Sequence, residues 1–199
     1  MGKRGVGMRA VEAVVSDTVS LRPLTESDIT GRYLSWFRDE RVTRYLEAKN
    51  LTRQEAIDHL RRGIESGDWF LYAICVDGLH IGNLKIGPID RRHGLADLVT
   101  IIGDPDYWGR GYATEAVRQG VALAWSLGIR KLAAGIWSDN IGSVKAYTRA
   151  GFTIEATLRD HYLLNGKPQD RVCVSAWNPA CKISNCPDTR DGAGRINKR

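Results

Sequence analysis

The stretch "LADLVTIIGDPDYWGRGYATEAVRQGVALAWSLG", residues 95–128, constrains this chain more than any other. It begins as a strand rich in β-branched and aliphatic residues. It then passes through a basic turn in which Gly109 and Gly111 flank Arg110. Ala113, Ala116, Val117, Gly120, Val121 and Ala124 come next at i, i+3, i+4, i+7, i+8 and i+11, the spacing of an amphipathic helix packed on a sheet, with Gly128 as its C′ stop. A strand, a glycine turn and a helix in direct succession leave the first N–H groups of the helix without partners. Those groups sit at the positive end of the helix dipole and make an anion site. A Walker-type phosphate loop is excluded, because no Lys followed by Ser or Thr comes after the last glycine. A dinucleotide fingerprint fails as well: Thr114 stands at its third glycine, and the element lies late in the chain. Against the anion site stands the plainer reading that both glycines serve only the turn.

The remaining pattern predicts a mixed α/β sheet in the order β-α-α-β-β-β-α-β-α-β-β. "TVSLRPLT" reads as a short strand. "TESDITGRYLSWFRDE" reads as a helix with Thr25 as N-cap and Asp28 three residues on. "LTRQEAIDHLRRGIESG" carries a capping box in Thr52 and Glu55 and stops at Gly67. Asp77-Gly78 and Asn165-Gly166 are hairpin turns between alternating runs. "IRKLAAGIWS" is a strand and "NIGSVKAYTRAG" a short helix ending at Gly151.

Net charge is +6, which raises a nucleic-acid reading, but most of it lies at the ends. Residues 1–17 hold three basic and two acidic side chains and residues 178–199 five and two, leaving 21 against 19 in residues 18–177. We therefore expect an N-terminal extension (1–17), one folded domain (18–177) and a disordered C-terminal tail (178–199). Nucleic acid is not expected as a partner except through those basic ends. No apolar run reaches the roughly 20 residues of a membrane span, so no membrane partner is expected. Cys75, Cys173, Cys181 and Cys186 show no metal-ligand spacing, and a reduced cytoplasmic protein without a metal is the expectation.

A second segment bears on the glycine turn. "DNIGSVKAYTRAGF" puts Asn140 at a helix start, Ser143 at +3, Tyr147 at +7 and Gly151-Phe152 at +11 and +12. Together with "GRG" about 30 residues earlier, this resembles the GNAT N-acetyltransferases, whose pyrophosphate loop has the form Arg/Gln-x-x-Gly-x-Gly/Ala. One departure is Trp108, read as standing where most GNAT loops carry Arg or Gln. "YWGRGYATEA", "LRPLTESDI", "IGNLKIGPI" and "GKPQDRVCVSAW" resemble the RimJ/RimL branch within that family. The resemblance covers roughly residues 18–177. It implies a central, mostly antiparallel twisted sheet, splayed at the acetyl-CoA site and flanked by helices. It further implies acetyl-CoA as co-substrate and an amine acceptor: a protein N-terminus, an amino sugar or an antibiotic. Assembly is left open, with a homodimer one option.

Carried over by position, the resemblance assigns the coenzyme to Gly109, Arg110, Gly111, Tyr112, Ala113 and Thr114 for the pyrophosphate. Val99, Ile101, Asn140 and Ser143 are assigned to the acetyl-pantetheine arm. Tyr147 is the expected proton donor to the leaving thiolate; its competing reading is helix-to-sheet packing. Asp97, at the start of the strand before the loop, is the candidate base, ahead of His161 and Asp170; His93 and Lys85 read more simply as solvated side chains. Trp36, Tyr45 and His161 are candidate acceptor contacts, Trp36 and Tyr45 in the stretch between the first two helices. A lysine amine near pKa 10.4 is free only about once in 2500 at pH 7, and an α-amine near 7.8 about once in seven. With no strong base evident, a weakly basic amine is the favoured acceptor. Two other classes are weighed: a non-catalytic acetyl-CoA sensor, and an RNA-surface binder using the basic ends.

Overall fold

The computed structural model describes residues 14, 15 and 18–181. Its elements in chain order are β1 (Val14–Val15), β2 (Ser20–Pro23), α1 (Gly31–Trp36), α2 (Glu40–Thr43), α3 (Arg53–Ser66), β3 (Phe70–Val76), β4 (Leu79–Asp90), β5 (Leu95–Ile102), α4 (Tyr112–Ser126), β6 (Lys131–Trp137), α5 (Ile141–Arg149), β7 (Thr153–Leu164) and β8 (Lys167–Trp177). The eight strands form one sheet in the order β1-β2-β3-β4-β5-β6-β8-β7. Every neighbouring pair is antiparallel except β5 and β6, which are parallel.

Both faces are covered at β3 and most of β4, which read as nearly continuous apolar runs, whereas β5 and β6 bury one face and alternate. In β3, Tyr72 and Ile74 enter a core shared with α4, while Ala73 and Cys75 enter a second core under α1 and α3. Leu84, Ile86 and Leu98 have no exposed surface beneath α4, each worth about 1.5–3 kcal/mol of burial. Gly120 lets α4 come close: a methyl group there would press on the side chains of Leu84 and Leu98.

Local signals explain most boundaries. Thr52 and Glu55 form the reciprocal capping box of α3, and Gly67 ends it in the left-handed conformation at φ 65°. Asp77-Gly78 and Asn165-Gly166 make their turns with positive φ at both residues. One expectation is corrected. Thr25 and Asp28 cap a single 3-10 turn over Glu26–Asp28, and α1 begins later, with Thr30 as its own cap. The turn goes no further because the backbone leaves helical geometry at the buried Ile29, ψ 70°; the Asp28 carboxylate accepts from the Thr25 N–H and from Arg22 at 2.7 and 2.8 Å.

Val14–Val15 lies within the expected N-terminal extension, where it pairs with β2. At the other end, Asn178 is buried and its backbone C=O accepts from the N–H of Cys181. The rest of the expected extension and tail lies outside the described residues. Among the described residues, no helix is long and apolar enough to cross a membrane.

Candidate active site

The sheet opens where its only parallel pair ends. β5 and β6 share three register pairs, Leu95↔Lys131, Ala96↔Leu132 and Asp97↔Ala133, and none beyond. From Leu98 onward β5 remains paired with β4, and β6 with β8, so a slot lies between two strands that each lack a neighbour. Tyr147, on α5, fills it. It is 3% exposed, and its hydroxyl donates to the Leu98 carbonyl at 2.8 Å and lies 3.4 Å from Thr100 Oγ1. Burial pushes the phenol well above its usual range.

These contacts show which peptide groups face the slot. The Leu98 C=O meets Tyr147, and the Thr100 backbone hydrogen-bonds the same hydroxyl. By strand alternation the peptide groups of Val99 and Ile101 turn the other way, toward β4, and the Ile101 carbonyl lies against Gly82. The backbone groups that face the slot are therefore those of Leu98 and Thr100, whereas the sequence candidates Val99 and Ile101 turn theirs to β4.

The glycine turn lies beyond the C-terminal end of β5. Gly109 and Gly111 adopt φ of 74° and 84°, a region costly for other L-residues. Gly111 is the N-cap of α4 and offers no side-chain hydrogen bond to the helix. The N–H groups of Tyr112, Ala113 and Thr114 are thus left uncapped, while the N–H of Glu115 takes the Gly111 carbonyl at 3.1 Å. No other atom lies within 4 Å of where a Cβ would sit on either glycine, and Arg110 beside them is exposed over the Tyr107 ring. Uncapped donors, open approach and a positive helix end fit a pyrophosphate. The Arg/Gln position is corrected from Trp108 to the exposed Asp106, which lies three residues before Gly109 as the loop pattern requires. Asn140 caps α5 through its side-chain oxygen, which accepts the Ser143 N–H at 3.2 Å.

The opposite face of the split carries charges and rings. Asp97 points away from the α4 core because Ala96 and Leu98 point into it. Its carboxyl is solvent-accessible, yet enclosure by the surrounding protein raises its pKa, against the opposing charges of Arg171 and Lys85. A hollow of about 240 Å³ lined by Pro88, Asp90, Leu95, Ala96, Asp97, Lys131 and Ala133 lies at the closed end of the split. Toward the open end Trp137 stacks on Tyr162 at 4.3 Å, and Tyr45 approaches Trp137 at 6.1 Å while its hydroxyl donates to the Asp139 carbonyl.

The sequence candidates thus separate. Asp97, Tyr45 and His161 border this cleft; His161 Nε2 accepts from Arg171 Nη1 at 3.3 Å. Trp36 does not join them: it is 4% exposed, packed on Gly103 and His80 inside the second core. Asp170 is taken up by the Asp160 N–H at a bulge of β7. His93 is exposed, held by its backbone N–H to the Asp90 carboxylate. Lys85 is half-buried over the Trp69 ring, and burial lowers its pKa. Sequence reasoning missed Trp137, Tyr162 and Arg171. The available signal was Gly135, a glycine inside a strand, which marks a close approach.

Residues 18–153 match the acetyltransferase (GNAT) domain family. The chain belongs to the GNAT family. It is 28% identical over 176 residues to the uncharacterized N-acetyltransferase YoaA of Bacillus subtilis, covering 82% of this chain and 96% of that protein. Spermidine N-acetyltransferase from Vibrio cholerae, solved with CoA and spermine, superposes with a TM-score of 0.74 at 19% identity, covering 81% of this chain and 96% of the other. Ribosomal-protein-S5-alanine acetyltransferase from Vibrio fischeri gives 0.75 at 18%, covering 85% and 98%. The chain is an acetyl-CoA-dependent N-acetyltransferase, with acetyl-CoA as its co-substrate.

Proposed function

We propose that this GNAT enzyme acetylates a weakly basic primary amine, a small-molecule or amino-sugar amine or a protein N-terminal α-amine, in a reducing cytoplasm. The observation that carries this reading is the slot beyond Asp97–Ala133, with Tyr147 inside it and the uncapped start of α4 at its mouth. The RimJ/RimL character rests on wording such as "YWGRGYATEA". Cys75, Cys173 and Cys181 are all unpaired thiols, which supports the reducing compartment.

In the reaction the amine nitrogen bonds to the thioester carbonyl carbon as the carbon–sulfur bond breaks. The nitrogen loses a proton to Asp97, and the sulfur leaves as a thiolate that is protonated from solvent. Gly109, Arg110, Gly111 and the N–H groups of residues 112–114 hold the pyrophosphate. Leu98 and Thr100 turn a C=O and an N–H toward the slot, both engaged by the Tyr147 hydroxyl until it turns to the sulfur, and the Thr100 N–H then steadies the carbonyl oxygen as it gains charge. Asn140 and Ser143 fix the start of α5 beside the slot.

Asp97 takes the amine proton, directly or through water; its raised pKa makes it a better base than an exposed carboxylate. Tyr147 stays protonated throughout the working range; its single O–H, given to the Leu98 carbonyl in the free enzyme, turns to the leaving sulfur. Full transfer from a phenol near pKa 10 to a thiolate near 8.5 runs uphill even before burial, so its part is that of a donor.

The test is thiol release from acetyl-CoA across α-amine peptides, lysine peptides, amino sugars, polyamines and amino acids. Turnover of α-amines or amino sugars above lysine side chains is expected. Faster turnover of lysine side chains would overturn the acceptor reading.

A further inference from the structure

Arg171 is an unusual residue to find on the acceptor side of the split. It projects from β8 and lies flat across Gly135 of β6, where any side chain would collide with the guanidinium. Gly135 shares its sheet face with Ala133 and Trp137, the face opposite the α4 core, which is also the face of Asp97. The guanidinium sits over the Tyr162 ring at 5.8 Å, and Tyr162 stacks on Trp137. Its Nε is buried and has no hydrogen-bond partner, and among the described residues it forms no ion pair. Nη1 donates to His161, leaving the other N–H donors of the fork without a protein acceptor.

An arginine enclosed by rings with an unsatisfied N–H is costly unless something completes it. Asp97 does not do so: it lies close enough for the two charges to interact but makes no contact. The cleft therefore presents a carboxylate and a guanidinium of opposite sign on one sheet face, near enough to interact but not in contact, with the Trp137–Tyr162 stack beside the guanidinium. Lys85 adds a second positive charge near Asp97, and Glu47 a further negative one near Tyr162.

We propose that the acceptor is a zwitterion of the α-amino acid type, its amine directed to Asp97 and its carboxylate held in the fork of Arg171. This rests on the acetyltransfer reading above and names its substrate class. Planar, two-point recognition of carboxylate is what a guanidinium does best. A polyamine has no group for Arg171, and its further ammonium groups would meet like charge. Gly135 belongs to the same device, because it alone lets the guanidinium lie against the strand.

The test compares kcat/KM, expressed per unprotonated amine, for L-methionine and L-phenylalanine with their amides and with spermidine. Aspartyl-alanine amidated at its C-terminus serves as the arm in which the carboxylate comes from a peptide side chain. Free carboxylates should exceed their amides by at least about 10-fold, the scale of one charge-assisted contact. In Arg171→Gln that ratio should collapse toward one, mainly through a higher KM for the carboxylate, with Arg171→Lys recovering part of it. Gly135→Ala, which keeps the charge but displaces it, should also lower the ratio; calorimetric binding of acetyl-CoA to each variant shows that the fold survives. Turnover of amides or spermidine at or above the carboxylates would overturn this inference and leave acetyltransfer standing. A preference confined to aspartyl-alanine would overturn it in favour of an acidic peptide N-terminus. No thiol release from any amine would remove the acetyltransfer reading, and this one with it.

Discussion

Tyr147→Phe separates the two roles the sequence allowed this residue, packing and catalysis. The ring is buried against Phe152 at 5.0 Å, and phenylalanine keeps that contact. The loss is confined to one hydroxyl that donates to Leu98 and hydrogen-bonds the backbone of Thr100. Leaving such groups buried without a partner costs about 1–3 kcal/mol. For a folded unit of this size, that lowers Tm by roughly 2–12 °C. If the hydroxyl also supports the leaving sulfur, kcat falls by about 10- to 1000-fold with little change in acetyl-CoA affinity. The assay pairs thermal unfolding with steady-state thiol release at saturating coenzyme. A lower Tm with kcat within threefold of wild type would show that Tyr147 only packs, and the catalytic assignment would fall.

The same geometry sets the outcome of three other substitutions. Gly111→Val places a β-branched residue at φ 84°, a strain of about 1–2 kcal/mol, and should raise the acetyl-CoA KM by about 5- to 30-fold; an unchanged KM would mean the turn does not hold the coenzyme. Asp97 has a folded-state pKa raised above its unfolded value, so ionising it lowers stability as pH rises from the unfolded pKa through the folded one. Asp97→Asn should therefore unfold at a higher temperature than wild type at pH 7, the gain vanishing below about pH 4, while its turnover falls. A variant both active and no more stable would refute the assignment. Gly82→Ala drives a methyl group into the Ile101 carbonyl and should cost about 1–3 kcal/mol in denaturant unfolding; a neutral result would refute the close β4–β5 approach.

Local chemistry made much of this fold legible. Capping boxes, glycine stops and Asx-Gly turns act over four residues or fewer, so Thr52, Gly67, Asp77-Gly78 and Asn165-Gly166 could be read from sequence alone. Thr25 misled because the same capping signal serves a single turn, and the chain then breaks at Ile29, whose side chain enters the second core. The glycine turn and the register of Asn140 with Tyr147 pointed to the coenzyme side. The acceptor side was hidden. Trp137 and Tyr162 meet from strands that are not neighbours in the sheet, and Arg171 reaches Gly135 across a strand pair. No short-range pattern announces such contacts. Trp36 was misplaced for the same reason: its partner Gly103 comes from another part of the chain.

The three-residue parallel ladder between β5 and β6 also divides the molecule mechanically. One leaf runs from β1 to β5 and the other from β6 to β8, and the backbone seam between them is three register pairs long. Helices α4 and α5 lie over that seam like a strap. On the reading proposed above, a coenzyme seated in the slot would supply the missing stretch of ladder as a ninth, borrowed strand. Loading it should do more than occupy a site: it should lengthen the short backbone seam across a core that both leaves already share, and raise the unfolding temperature of the sheet as a unit.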